Sequence, residues 1–213
     1  MFVQLNRRLA AMRGFTLIEM MIAIIVMGVL LAIAIPNMSA WLLAARARSA
    51  SEFYMEGFAL ARRQAITHNG ASRITLTVNP STGQMDWQVD VCFPTVQTPC
   101  DDNSGSWSTT NAVAANDPQG VAGYRSVFRA ANALPGTAVL TPSITPEGAT
   151  SVYYKPVGWV DTTVDNRLTQ LRLDPSTAFA HDVPVSALAV SLAGMPTKCD
   201  PTKAAGDSRA CPP

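Results

Sequence analysis

Between Phe15 and Ile35 the chain reads FTLIEMMIAIIVMGVLLAIAI, twenty-one residues with a single charge, Glu19. As a helix rising about 1.5 Å per residue, this run spans roughly 31 Å, about one bilayer core. Arg7, Arg8 and Arg13 precede it and no acid does. That asymmetry predicts a cytoplasmic N-terminal side and export of everything after Pro36. A secretory signal peptide is the rival reading. Such peptides carry an apolar core of about 7–15 residues followed by a small-residue cleavage site. Here the run is longer, and the next segment, NMSAWLLAARARSASEF, continues in a helical pattern.

Glu19 is the anomaly in this stretch. An acid inside a spanning helix costs on the order of 2.5–3.5 kcal/mol on insertion scales, so it marks a functional position by default. The plainer reading is a carboxylate near the helix start that reaches back to the interface.

The segment Arg13-Gly14-Phe15-Thr16-Leu17-Ile18-Glu19 resembles the start of type IV pilins and pseudopilins. The shared pattern is a short basic leader ending in Gly, then Phe-Thr-Leu-Ile-Glu, then an apolar helix broken by a proline, here Pro36. The resemblance implies that prepilin peptidase cuts between Gly14 and Phe15 and that the new amine of Phe15 is N-methylated. It implies three partners: the peptidase, an inner-membrane assembly platform and other pilins or pseudopilins in a filament. It also implies a role for Glu19. An amine at Phe15 and a carboxylate at Glu19 are each expensive alone in an apolar setting and much less so when paired between staggered neighbours. Pro36 lacks an amide hydrogen and crowds the preceding turn, so it is expected to kink the helix or let it melt locally.

Beyond Pro36 an apolar stripe follows at Leu43, Ala47, Ala50, Tyr54, Phe58, Ala61 and Ala65, with spacings of three and four that define one helix face. Arg48, Glu52, Glu56 and Arg63 fall on the opposite face. Asn69-Gly70 supplies a stop signal. From Ala71 the period changes to two. Residues 73–78 and 85–91 read as a hairpin around Pro80–Gly83. Residues 94–123, rich in Pro, Thr, Asn, Ser, Asp and Gly, read as a long surface loop. Further strands are expected at Tyr124–Ala130, Thr137–Leu140, Ser151–Tyr154, Leu168–Leu173 and Val185–Leu192, and an aperiodic tail from Thr197. A helix followed by antiparallel strands gives an α+β fold with the sheet over the helix.

Two segments narrow the resemblance. Leu60–Asn69 looks like the helix end of GspH/FimT-type minor pilins, and Tyr154-Lys155-Pro156-Val157-Gly158 like an aromatic-x-Pro-x-Gly turn of that group. The implied organisation is a cleaved leader over 1–14, a transmembrane and polymerisation helix over 15–36, and a periplasmic domain over 37–213. The implied function is structural: a minor subunit that initiates or caps a type IV pilus or a type II secretion pseudopilus. The alternative within the group is a DNA-binding subunit of an uptake pilus.

Export makes the four cysteines disulfide candidates. Cys92, Cys100, Cys199 and Cys211 permit three connectivities, and pairing of neighbours, Cys92 with Cys100 and Cys199 with Cys211, is the expectation. A zinc site is set aside, because no C-x-x-C pair or histidine cluster is present. His68 and His181 stand in no metal or nucleophile motif, and Asp101–Gly105 lacks the ligand spacing of a calcium loop. No phosphate loop occurs. No catalytic residue, metal or cofactor is therefore assigned. Formal net charge is +1, and the three arginines before Phe15 turn it to −2 once they are removed. The tail from Lys198 carries three cations against Asp200 and Asp207, which argues against general nucleic-acid binding.

Overall fold

The computed structural model describes residues 14–212. The leader expected over 1–14, with its arginines, lies outside the described residues up to Arg13. The chain forms two compact units, Met1–Trp41 and Leu42–Pro213. One helix, α1, runs Leu17–His68.

Of the two outcomes expected at Pro36, a kink or local melting, α1 shows no melting: it runs through the proline as helix. A proline removes one i→i−4 bond, and tertiary or medium effects can keep the remaining turns helical. Two stretches of α1 differ in what they expose. From Leu17 to Ile33 every residue is exposed, and nearly all are apolar. Among the described residues no helix is long and apolar enough to cross a membrane. The run of described side chains ends at Ile33, because Ala34 beside it lies outside that set. From Leu43 the helix becomes one-sided. Ala47, Ala50, Tyr54, Phe58, Ala61 and Ala65 are buried, while Arg48, Glu52, Glu56 and Arg63 are exposed.

The helix ends in a Schellman-type cap. The amide of Gly70 donates to the carbonyl of Ala65 (3.2 Å) and that of Asn69 to Ile66 (3.3 Å). Asn69, not Gly70, takes the left-handed conformation, with φ of 48°.

The buried stripe meets two four-stranded antiparallel sheets rather than the single sheet expected. The strands are β1 (Ala71–Val78), β2 (Met85–Cys92), β3 (Val127–Arg129), β4 (Leu140–Thr145), β5 (Ser151–Tyr154), β6 (Gln170–Pro175), β7 (Ser186–Val190) and β8 (Pro196–Cys199). Their orders are β3-β2-β1-β5 and β4-β6-β7-β8. Tyr54 and Phe58 of α1, Ile74, Leu76, Trp87 and Val89 of the first sheet, and Leu140, Leu171, Leu173 and Leu188 of the second form one core cluster. Complete burial of a side chain of this size stabilises by about 1.5–3 kcal/mol. The β1–β2 hairpin turns where expected. Asn79 Oδ1 accepts from the amides of Ser81 and Thr82, and Gly83 supplies a positive φ.

Several strand boundaries move. The strand expected at Thr137–Leu140 begins at Leu140 instead and runs to Thr145 through Pro142. β4 is an edge strand, where a residue without an amide hydrogen is tolerated. The aperiodic tail begins with a strand, β8, whose residues Pro196–Cys199 pair with Ala187–Val190. The loop after β2 does run without a strand as far as β3, apart from a 3-10 turn at Gly120–Ala122.

Candidate assembly segment

The segment begins with Gly14, Phe15 and Thr16, followed by the first turn of α1. Thr16 was passed over in the sequence reading. Its Oγ1 accepts from the amide of Glu19 at 3.2 Å, and its carbonyl accepts from Met20 at 3.2 Å, which makes Thr16 the N-cap. The signal was available as Thr16-x-x-Glu19, the Thr-x-x-Glu pattern of a capping box. Glu19 stands exposed in the first turn. A carboxylate there also complements the positive end of the helix dipole. Phe15 is 77% exposed. Among the described residues a Cβ built on Gly14 meets nothing within 4 Å, so they place no demand for glycine there. Pro36 lies within α1, but its side-chain environment lies outside the described residues.

The four cysteines form two bonds, Cys92–Cys100 and Cys199–Cys211. The first ties the long loop to the end of β2. Gly105 follows the bond so closely that a Cβ would stand 3.0 Å from Cys92 Sγ, at a φ of 104°. The loop then docks on the first sheet. Ser108 exchanges backbone and hydroxyl hydrogen bonds with Val91 (2.8 and 2.9 Å). The Arg73 guanidinium lies 4.4 Å from the Trp107 ring centre and pairs with the buried Asp90 carboxylate at 2.9 Å.

Asp101 forms an Asx turn. The Ser104 hydroxyl, then the Asn103 amide, hold its carboxyl below the usual carboxylate range. Among the described residues, no group of three or more His, Cys, Asp or Glu could hold a metal ion. The His68 ring lies 5.1 Å from that of Tyr124, as a packing contact. The tail's arginine, Arg209, is held by Asp207 at 3.2 Å, which leaves fewer free cations for a nucleic-acid backbone than the sequence count suggests.

The turn at Tyr154–Gly158 packs on the C-terminal part of α1. Gly158 has φ of 80°, and a Cβ on it would stand 2.6 Å from Ile66 Cδ1. The Tyr154 phenol is completely buried, and burial pushes its pKa up.

Comparison with known proteins falls on the same N-terminal segment. The prokaryotic N-terminal methylation motif matches residues 9–35. No curated protein sequence matches the chain. Two crystal forms of the type IV minor pilin FimU of Pseudomonas aeruginosa (strain PAO1) overlay 75% of this chain, at 13% and 14% identity and a TM-score of 0.38. The overlays cover 97% and 92% of the FimU chains. The chain thus carries the prokaryotic N-terminal methylation motif across Gly14, Phe15 and Glu19 and into the apolar start of α1.

Proposed function

We propose that the protein is a minor pilin or pseudopilin, a structural subunit that helps initiate or cap a type IV pilus or the related secretion pseudopilus. Prepilin peptidase removes residues 1–14, and Phe15 becomes the N-methylated terminus. The mature chain sits in the inner membrane with its domain in the periplasm until it enters a filament.

The observation that carries this reading is the first part of α1. A helix apolar on every side, and uncovered by its own chain, requires either lipid or other helices around it. A filament core supplies the second. There the Phe15 amine adds a positive charge to the positive end of its own helix, and a neighbour's Glu19 is the acid of the right sign and depth to balance it.

Gly14 supports the processing step. Neither a positive φ nor a close neighbour explains a glycine at that position, which leaves the needs of a peptidase groove. Intact mass and N-terminal peptide analysis of the membrane form tests the reading. The expected product starts at methylated Phe15, and a retained leader in cells with active peptidase would remove the basis for it.

A further inference from the structure

The second unit contains a cavity that the assembly reading does not use. It measures about 360 Å³ and is lined by Ala47, Arg48 and Ser51 of α1, Pro184–Ser186 at the start of β7, and Lys198, Cys199, Asp200, Ser208 and Arg209. Four stretches of the chain build it, the first of them far in sequence from the other three, and the fold fixes each. Ser51 Oγ lies 3.0 Å from Ser186 Oγ, which ties the helix wall to β7. β8 holds Lys198 opposite Leu188. The Cys199–Cys211 bond, with the Asp200 amide donating to the Arg209 carbonyl at 2.7 Å, folds the tail back so that Ser208 and Arg209 complete the wall. Among the described residues of the tail beyond β8, only Cys211 packs against a buried cluster. The staple thus contributes little core and chiefly places polar groups around a cavity.

The charges of that wall are unbalanced. The Arg48 and Lys198 side chains are exposed and, among the described residues, form no ion pair or side-chain hydrogen bond. Arg209 is engaged by Asp207. Asp200 accepts from the Thr202 hydroxyl at 2.6 Å and from its amide at 2.9 Å, and so stands as an anion. In the lining, three cations (Arg48, Lys198 and Arg209) stand against the one carboxylate of Asp200, next to an apolar surface of Ala47, Pro184 and Val185. Behind that wall Asp207 and Lys203, of opposite sign, offset each other.

We propose that this cavity binds a single carboxylate carried on a short apolar body, held between the Arg48 guanidinium and the Lys198 ammonium with its body against Pro184 and Val185. A carboxylate can accept from the two unengaged cations while its apolar body covers Pro184 and Val185, whereas a phosphate dianion has no apolar body and would place a second charge beside Asp200 in the same wall. A duplex backbone is also a poor fit, because its affinity rests on many phosphates contacted along an open surface rather than on two cations around a recess. The carboxylate can come from a free organic acid or from an acidic side chain of another protein. The proposal does not depend on filament assembly.

The test uses the full oxidised chain in detergent, with butyrate as the probe. Lys198 acylation by an amine-reactive acetyl ester is followed by peptide mass spectrometry, with Lys155 and Lys203 as internal references. Affinity for so small a probe is expected at a Kd on the order of millimolar. Butyrate at twice its Kd should therefore slow acylation of Lys198 roughly threefold relative to the references. Arg48→Ala should abolish that protection while leaving the Cys199–Cys211 link and the melting transition in place, since Arg48 is an exposed helix residue. Equal acylation of all three lysines with the disulfide intact overturns the proposal. Protection by inorganic phosphate or a short DNA duplex equal to that by butyrate overturns the carboxylate assignment.

A second arm identifies the source when butyrate protects. Carbodiimide coupling in membranes that hold the full chain links Lys198 to an Asp or Glu of another protein if the carboxylate is a side chain. It gives no such link if a free acid is the ligand.

Discussion

A Cβ placed on Gly57 would stand 3.0 Å from Cδ2 of the buried Trp87 indole and 2.8 Å from Ile74 Cδ1. The helix backbone therefore rests almost directly on the first sheet, and the indole Nε1 donates to the Phe53 carbonyl at 3.0 Å. Replacing Gly57 by Ala gains helix propensity of about 1 kcal/mol. Overpacking costs typically about 1–3 kcal/mol, and a fully buried, hydrogen-bonded tryptophan yields poorly. The expected net effect is a loss of stability, small for Gly57→Ala and large for Gly57→Leu. Denaturant midpoints of the two variants measure it, and a raised midpoint for Gly57→Ala would show that the indole moves aside.

Glu19 and Thr16 are expected to separate. Glu19→Leu removes a charge from the apolar helix and should reach the membrane, be cleaved and fold normally. It should nevertheless leave filaments, because a neighbour's Phe15 amine loses its partner at a cost of about 3–5 kcal/mol if buried. Thr16→Ala loses only an N-cap, about 1 kcal/mol at the first turn, and should still assemble. Both variants are quantified in membranes and in sheared filaments, in cells without the wild-type copy. Normal incorporation of Glu19→Leu would reduce the carboxylate to a helix-start residue.

Gly14→Val should block removal of the leader without changing the domain. The position meets no neighbour within 4 Å, so the thermal transition of the domain should match the wild type while the membrane form keeps its full mass.

Alkaline pH should destabilise the domain. Burial pushes the Tyr54 and Tyr154 phenols well above the ordinary value, and the Tyr124 phenol up to about 12. The folded state holds these protons after the unfolded chain, with tyrosine pKa near 10, has released them. Their contribution is therefore complete below pH about 10 and is lost as pH rises from there towards the folded values. Melting temperature against pH should decline above about 10. Tyr54→Phe should reduce that slope while losing the bonds to Gln84 Oε1 and from the Met85 amide.

Separating the tail from β8 should cost less than separating helix from sheet. A Cys199→Ser, Cys211→Ser double variant opens a twelve-residue separation, worth about 3 kcal/mol on chain-entropy arguments. The cluster around Tyr54, Phe58 and Trp87 should stay folded, as near-ultraviolet circular dichroism would report. A collapse of that signal would mean that the tail supports the core.

The parts of the fold that carry a regular period were legible in the sequence. The stripe from Ala47 to Ala65 announces its buried face because one side is small and apolar while the other is charged. The β1–β2 hairpin announces itself by alternation around a turn with asparagine and glycine. β8 did not, because an edge strand reading Pro-Thr-Lys-Cys buries only its last residue and has no apolar face to repeat. β4 was displaced because Pro142 argues against a strand until its edge position is known. Thr16 was hidden by the motif around it, which explains the residue as part of a recognition pattern before its cap is considered. The cavity at Arg48 and Lys198 has no signature at all, since its wall joins helix, strand and tail only after folding.

The strand edges described above carry a consequence for how the domain meets its neighbours. β3 has three residues, β4 contains Pro142 and is followed by Pro146, and β8 starts at Pro196 with the stapled tail bridged to its far end through Asp200 and Ala210. A foreign strand seeking a free row of amides and carbonyls finds short or proline-broken templates. A domain crowded among its own copies is thereby guarded against edge-to-edge aggregation. On the proposed function, ordered self-association falls to side-chain surfaces and to the apolar helix, where register can be set by a charge.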